Sequence, residues 1–226
     1  MRIVLCLALG LWLASAGCDP VASPPANDKT GGAAHADGVK SATFFGLPVT
    51  QRRVVFAVTR AGGMMDQMQE AKERLRQTIE QLSPDQRFHV IFWAAGPAEE
   101  MPGGMAPATP ENKSAAAEFI APIVPRGAND PEYGLRAAFA SQPDAIYLLA
   151  YGEFDRAIAQ LVGKLNEEGR VIVNVVHVVT PGNRADADAE PLMREIAENH
   201  GGSFIAISRD GLMPVAGQTQ AESATP

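Results

Sequence analysis

Short apolar runs rich in Val, Ile and Phe recur along the middle of the chain, and segments with helical periodicity separate them. The runs cover residues 54–58, 88–94, 145–150, 171–179 and 203–207. Runs of this kind are typical of strands that are buried on both faces. Because strands alternate with helices, the sequence predicts an α/β fold in which a doubly wound, mostly parallel sheet carries helices on both faces.

Apolar residues between the runs recur at the spacing of a helix. Two series carry this signal: Met65, Met68, Leu75, Ile79 and Leu82, and then Ile158, Leu161, Val162 and Leu165. Each predicted helix would lay one apolar stripe on the sheet. Methionines could also ligate a soft metal or a haem, but filling of the core is the commoner role of Met at this spacing.

The first residues of the chain have the pattern of an export signal. Arg2 precedes the apolar run 3–14, and small residues then lead to Cys18. This pattern predicts a signal peptide at 1–17, and small residues directly before a cysteine resemble the bacterial lipobox, in which that cysteine is lipidated. The alternative is an ordinary signal peptide, a secreted soluble chain and a free thiol at Cys18. The only other cysteine, Cys6, lies inside the apolar run, so no disulfide is expected within the mature chain.

Both ends of the mature chain lack large apolar side chains. Residues 19–40 are rich in Pro, Ala, Gly and Asp, and residues from about 218 to 226 are similar in character, so the tether is placed at 18–42 and the tail at 209–226. Such segments cannot offset their ordering entropy by burial, so we predict a flexible tether and a flexible C-terminal tail. We therefore assign residues 43–208 to one globular domain.

The charge of the chain argues against some partners. The chain has 19 Lys and Arg and 26 Asp and Glu, for a formal net charge of −7. Basic residues do not cluster, so binding to nucleic acid, or to anionic lipid through a basic patch, is not expected.

The functional crevice of an open α/β sheet lies beyond the carboxyl ends of the strands, where the strand order reverses. Three segments of this chain should meet there: 59–63, 126–131 and 150–154. Side chains from these segments are therefore the first candidates for a binding site.

At these segments the chain resembles the von Willebrand factor A family. Residues 53–63 read RVVFAVTRAGG, residues 125–131 read PRGANDP and residues 147–154 read YLLAYGEF, and bacterial members carry similar motifs in the same order. The resemblance covers about residues 43–208. It implies a short edge strand within the irregular stretch 96–110, and we place a weak strand at 99–101.

The resemblance also implies a site for Mg²⁺, formed by two Ser hydroxyls, a Thr hydroxyl and two Asp carboxylates. At those five positions this chain has Ala61, Gly63, Asn129, Thr59 and Tyr151. Because neutral oxygens cannot replace the hydration of a hard cation, we expect no metal and no other cofactor. Four nearby acids are interpreted as charges that cap or flank helix N-termini: Asp66, Asp130, Glu153 and Asp155.

No arrangement typical of an enzyme is visible. The four histidines, at positions 35, 89, 177 and 200, do not have the spacing of metal ligands. The nucleophile elbow, the phosphate-binding loop and the dinucleotide fingerprint are also missing from the sequence. The sequence therefore favours a non-catalytic protein.

The leading hypothesis is a protein-binding module that is anchored by lipid at the bacterial cell envelope and contacts its partner without metal. The candidate binding residues are Thr59, Arg60, Asn129 and Tyr151. One alternative is a structural envelope component whose partner contacts another face, such as the sheet edge or the Pro-rich segment 102–110. A second is residual adhesion that depends on a divalent cation, and a third is binding or turnover of a small molecule in the crevice.

Overall fold

The structure is a computed structural model that describes residues 41–210. The predicted signal peptide, Cys18, nearly all of the tether and most of the tail lie outside the described residues.

The strands are short at the edges of the fold and longer at its centre. Within residues 41–210 they are β1 Thr43–Phe44, β2 Leu47–Pro48, β3 Arg53–Thr59, β4 Arg87–Trp93, β5 Glu99–Glu100, β6 Ala106–Pro107, β7 Ala145–Tyr151, β8 Ile172–Val179 and β9 Phe204–Ser208. The five strands predicted from apolar runs correspond to β3, β4, β7, β8 and β9, and β5 is the short edge strand.

Helices occupy most of the connections. Within the same residues they are α1 Met68–Glu80, α2 Pro110–Ile120, α3 Glu132–Ala140, α4 Arg156–Leu165 and α5 Arg184–Glu198. A 3₁₀ turn at Gly62–Met64 precedes α1.

The main sheet has the strand order β5-β4-β3-β7-β8-β9, and β6 also pairs with β4. The pairings among β4, β3, β7, β8 and β9 are all parallel, whereas β5 and β6 run antiparallel to β4. The chain moves outward from β3 to β4 and then returns to build β7, β8 and β9 on the other side. The α/β prediction of a mostly parallel, doubly wound sheet is confirmed, and the order reverses between β3 and β7.

Alternate residues of each central strand contribute to two separate cores. In β3, Val54, Phe56 and Val58 belong to the core beneath α1 and α2. Val55 and Ala57 belong to the core beneath α3, α4 and α5. Helices therefore cover both faces, which is why the central strands are mostly apolar on both faces.

The apolar stripe predicted for α1 is correct except at its first residue. Met68, Leu75 and Ile79 are buried, but Met65 is 71% exposed. The helix begins only at Met68, after the 3₁₀ turn, so Met65 does not lie on the helical stripe. The interpretation of Met65 as a core residue was wrong.

Several elements were not predicted. The hairpin β1–β2 packs on the first core, and the Tyr147 hydroxyl of β7 donates to Pro48 O at 2.6 Å. Strand β6 has two residues, and α2 has a weak apolar face whose buried residues are Ala116 and Ile120. Such short or small-residue segments carry little periodic signal.

Candidate functional site

Three loops meet at the carboxyl ends of β3 and β7, where the strand order reverses. They are loop 1 (residues 60–67, before α1), loop 2 (121–131, before α3) and loop 3 (152–155, before α4). Together with Tyr151 and the first turn of α3, we call these loops the rim. Ligands of open α/β sheets bind at this place.

Backbone hydrogen bonds connect loops 1 and 2. Arg126 N donates to Arg60 O at 2.7 Å, and Gly62 N donates to Gly127 O at 3.0 Å. Loop 3 joins through Asn129, whose Nδ2 donates to Glu153 O at 3.2 Å. The structure therefore brings together the three segments that the sequence assigned to one crevice.

Tyr151 lies against Gly63. A Cβ atom added to Gly63 would lie 2.1 Å from Cε1 of Tyr151 and 2.7 Å from Cζ. The phenol ring therefore occupies the volume that a side chain at position 63 would need, and Tyr151 is tolerated because residue 63 is glycine.

Arg209, which lies at the end of the edge strand β9, also contacts Gly63 and Tyr151. It follows β9, and its backbone N donates to Val179 O at 2.7 Å. Its Nη2 donates to Gly63 O at 3.0 Å and its Nη1 donates to the Tyr151 hydroxyl at 3.4 Å. The guanidinium carbon lies 5.5 Å from the centre of the Tyr151 ring, within range of a cation–π interaction.

Sequence reasoning missed Arg209, because it placed this residue in the C-terminal tail. In the structure, Arg209 instead forms hydrogen bonds with residues of the domain. A basic residue two positions after the last apolar run, and therefore at the carboxyl end of the sheet, was the signal that could have identified it.

Arg60 and Arg126 share one carboxylate. Arg60 Nη2 lies 3.0 Å from Glu99 Oε1, and Arg126 pairs with the same oxygen. The Arg60 side chain is only 8% exposed, whereas that of Arg126 is 66% exposed. Burial lowers the pKa of Arg60 from its ordinary value, Glu99 opposes that shift and Arg126 adds to it. Arg60 nonetheless stays protonated, as arginine does in proteins.

The four predicted binding residues differ in accessibility. Thr59 and Arg60 are buried, while Asn129 and Tyr151 are partly exposed. The Thr59 hydroxyl accepts from Ala61 N at 3.3 Å, so Thr59 shapes the turn into loop 1. Asn129 Oδ1 is buried and has no hydrogen-bond partner among the described residues. Only Asn129 and Tyr151 therefore present side-chain surface to a partner in this conformation.

Large apolar side chains that are exposed within residues 41–210 all lie on the rim. They are Met65 on loop 1 at 71%, Val124 on loop 2 at 59% and Tyr133 in the first turn of α3 at 51%. Isolated exposed apolar residues are ordinary, but here all three lie on loops or a helix start at the same end of the sheet.

His177 lies beneath loop 3 and is fully buried. Its Nε2 is 3.1 Å from Gly152 O, and a carbonyl only accepts, so Nε2 carries the proton and Nδ1 does not. Burial lowers the pKa of His177, and this shift is opposed by Asp186, by the bond to Gly152 and by Glu190. His177 is therefore a neutral support for the backbone that carries Tyr151.

The five positions to which the resemblance assigns a cation have no carboxylate. Thr59, Asn129 and Tyr151 offer only neutral oxygens, while Ala61 and Gly63 have no side-chain oxygen. No group of three or more His, Cys, Asp or Glu able to hold a metal occurs in the part of the chain that the structure describes. Asp130 and Asp155 accept from the backbone N of Glu132 and Ala157 at helix N-termini, as the sequence predicted.

Solved structures with the same architecture include a von Willebrand factor type A protein from Catenulispora acidiphila. It matches with a TM-score of 0.58 and 20% identity over 71% of this chain and 39% of that one. The chain has a von Willebrand factor type A-like fold. The fold predicted from the resemblance is thereby confirmed.

Proximal thread matrix protein 1 from the mussel byssus is also similar to this chain. It has a TM-score of 0.52 and 18% identity, over 70% of this chain and 42% of that one. This chain thus spans about two fifths of the length of either structure. No protein-family model matches the chain, and no curated protein matches it.

Proposed function

We propose that this chain is a non-catalytic protein-binding module whose partner contacts the rim without a metal ion. The observation that carries the proposal is the concentration of Met65, Val124 and Tyr133 on the rim, since these are the large apolar side chains that the described domain leaves exposed. Apolar and aromatic side chains of this kind form the centres of protein interfaces. The vWA-like fold supports an interaction role only by analogy.

The proposal that the partner binds without a metal ion rests on the charges of the side chains at the rim. A divalent cation leaves water only for a site with several oxygen ligands, which usually include carboxylates. The rim offers neutral oxygens at the equivalent positions, and Arg209 places a positive charge beside Tyr151 and Gly63. A cation at that place would lie beside this guanidinium, with no carboxylate at the five equivalent positions to compensate its charge.

Attachment to the cell envelope is the second part of the proposal, and it rests on the sequence around Cys18. Among residues 41–210, no helix is long and apolar enough to cross a membrane. Labelling with tritiated palmitate should mark the wild-type chain and should not mark Cys18→Ser. Equal labelling of the two chains, or labelling of neither, would contradict the proposal that Cys18 carries a lipid anchor.

Site-specific photocrosslinking tests the binding surface. A benzophenone amino acid at Met65 should crosslink a discrete partner in envelope preparations. The same probe at Lys164, which is exposed near the amino end of the sheet, is the matched control. Excess full-length chain should compete for the adduct, and chain carrying Met65→Ser and Tyr133→Ser should not.

Two other outcomes would point to the alternatives. A probe at Pro102 that crosslinks while Met65 does not would support a structural component whose partner face is the Pro-rich segment. An adduct at Met65 that disappears with EDTA and returns with Mg²⁺ would support cation-dependent adhesion.

A further inference from the structure

Lys72 is a buried lysine in the second turn of α1, and its ammonium group bonds backbone carbonyls outside that helix. Only 6% of Lys72 is exposed. Its Nζ donates to Ala121 O at 2.5 Å and to Ile123 O at 3.1 Å. Ala121 caps the C-terminus of α2, and Ile123 lies two residues further on in loop 2. Lys72 therefore joins the helix that follows loop 1 to the first residues of loop 2.

The carbonyls that Lys72 bonds depend on it for a donor. The last carbonyls of a helix have no partner within the helix and carry partial negative charge. A hydrogen bond from a charged donor is stronger than one between neutral groups, and a buried carbonyl without a donor is costly. Without the ammonium group, the start of loop 2 would have to move to reach water or another donor.

Lys113 makes the matching arrangement at the other end of the same pair of helices. It lies in the first turn of α2, and its Nζ donates to Glu80 O and to Leu82 O, both at 2.8 Å. Glu80 is the last residue of α1, so each helix supplies a lysine to the end of the other. At about 1.5 Å per residue, these contacts lie roughly 12 Å farther along α1 than Lys72. They are therefore at the end of α1 that is remote from the rim.

The residues next to the Lys72 contacts belong to the rim. Val124, which is 59% exposed, directly follows the buried Ile123. Two residues after Val124, Arg126 N donates to Arg60 O of loop 1 at 2.7 Å. The exposed Val124 thus lies between a carbonyl that Lys72 holds and an amide that loop 1 holds.

We propose that Lys72 is a positioning residue for the rim, whose two hydrogen bonds hold the start of loop 2 so that Val124 is presented to the partner. Lys72 does not contact the partner itself, because its side chain is buried. Lys113 makes the same kind of contact away from the rim and should affect only stability. This inference rests on the proposed function, since it assigns a residue that maintains the surface the partner contacts.

Hydrogen–deuterium exchange of full-length Lys72→Met and Lys113→Met is the first test. Methionine keeps an apolar stem and removes two hydrogen bonds in either variant. Lys72→Met should speed exchange at the bonded amides of Ile123 and Arg126 by at least about tenfold and leave that of Leu82 unchanged. Lys113→Met should do the reverse. Exchange at Ile123 and Arg126 that is equal in the two variants would overturn the inference. Lys72→Gln, a milder change, should show the same pattern if Lys72→Met does not fold.

Competition for the Met65 adduct is the second test. The tracer is the chain with the benzophenone amino acid at Met65, and full-length chains without the probe compete with it in envelope preparations. About three- to tenfold more Lys72→Met than wild type should be needed to halve the adduct, whereas Lys113→Met should match wild type. In a Val124→Ser background, Lys72→Met should weaken competition no further, because the contact that it positions is already lost.

The outcomes separate this inference from the proposed function. Equal loss of competition in Lys72→Met and Lys113→Met would trace both effects to stability and overturn the inference. A further loss when Lys72→Met is added to Val124→Ser would also overturn it. If wild type and Lys72→Met compete equally, the inference fails and the proposed function stands. If wild type forms no Met65 adduct, the proposed function fails, and exchange alone decides whether Lys72 positions loop 2.

Discussion

The ring of Tyr151 covers Gly63, so that any side chain at position 63 would overlap it. A Cβ atom at Gly63 would lie 2.1 Å from Tyr151 Cε1, well inside van der Waals contact. The two residues are 88 positions apart: Gly63 lies in the 3₁₀ turn that follows β3, and Tyr151 ends β7, the strand that pairs with β3. Their identities are therefore coupled, and each is explained by the other.

This coupling predicts a non-additive pair of substitutions. Gly63→Ser should lower the free energy of unfolding by about 1–3 kcal/mol because the side chain overpacks against the ring. In a Tyr151→Ala background the same change should cost much less, with a coupling energy on the order of 1–3 kcal/mol. Urea denaturation of the four chains measures it. Additive costs would show that the ring moves aside freely.

Replacement by alanine should change the stability of the domain in opposite directions at two glycines that lie in helices. Gly134→Ala in α3 should destabilise the domain by about 1–3 kcal/mol, because the new Cβ would lie 2.4 Å from Trp93 Cβ. Gly163→Ala in α4 meets no atom within 4 Å and should stabilise the domain by about 0.5–1 kcal/mol through helix propensity. Thermal melts of both variants check this, and a gain in stability for Gly134→Ala would contradict the packing at Trp93.

The burial of His177 predicts that the domain loses stability at acidic pH. Burial lowers the pKa of His177 in the folded chain, so the unfolded chain binds the proton first as pH falls below about 6.5. Stability should therefore be complete above that value and should decrease as pH approaches the lowered pKa. Melting temperatures from pH 7.5 to 5 should fall less steeply in His177→Gln, whose amide can still donate to Gly152 O. If the melting temperature falls equally steeply with pH in wild type and in His177→Gln, His177 is not the cause of the loss of stability.

Metal ions should leave the domain unchanged. Calorimetric titration of Mg²⁺, Mn²⁺ or Ca²⁺ should show no specific heat, and EDTA should not shift the melting temperature, because the rim has no carboxylate at the five equivalent positions. A micromolar site lost in Tyr151→Ala or Asn129→Ala would contradict this and would favour cation-dependent adhesion.

Periodicity in the sequence was sufficient to predict the central strands, the sheet type and helices α1 and α4. Each central strand is long and apolar on both faces, as β3 shows. The same signal failed at Met65, because a 3₁₀ turn delays the start of α1. It also failed for β1, β2 and β6, whose two residues are too few for a period to be visible.

The candidate site was predicted less completely. The sequence located Tyr151 and Asn129 on the rim, but it could not show that Thr59 and Arg60 are turned inward. Whether a polar residue at a strand end is exposed depends on the neighbouring loops, and here the carboxylate of Glu99, from an edge strand, holds Arg60 inside.

Residue types and local spacing were enough to establish the alternation of strands and helices and the missing carboxylates at the crevice, because both can be read within a few neighbouring positions. The contact of Arg209 with Gly63 joins residues 146 positions apart. It exists because β8 and β9 are added beside β7, which brings the end of β9 close to loop 1. No local pattern encodes that strand order, so the contact of Arg209 with loop 1 became visible only when the sheet was assembled.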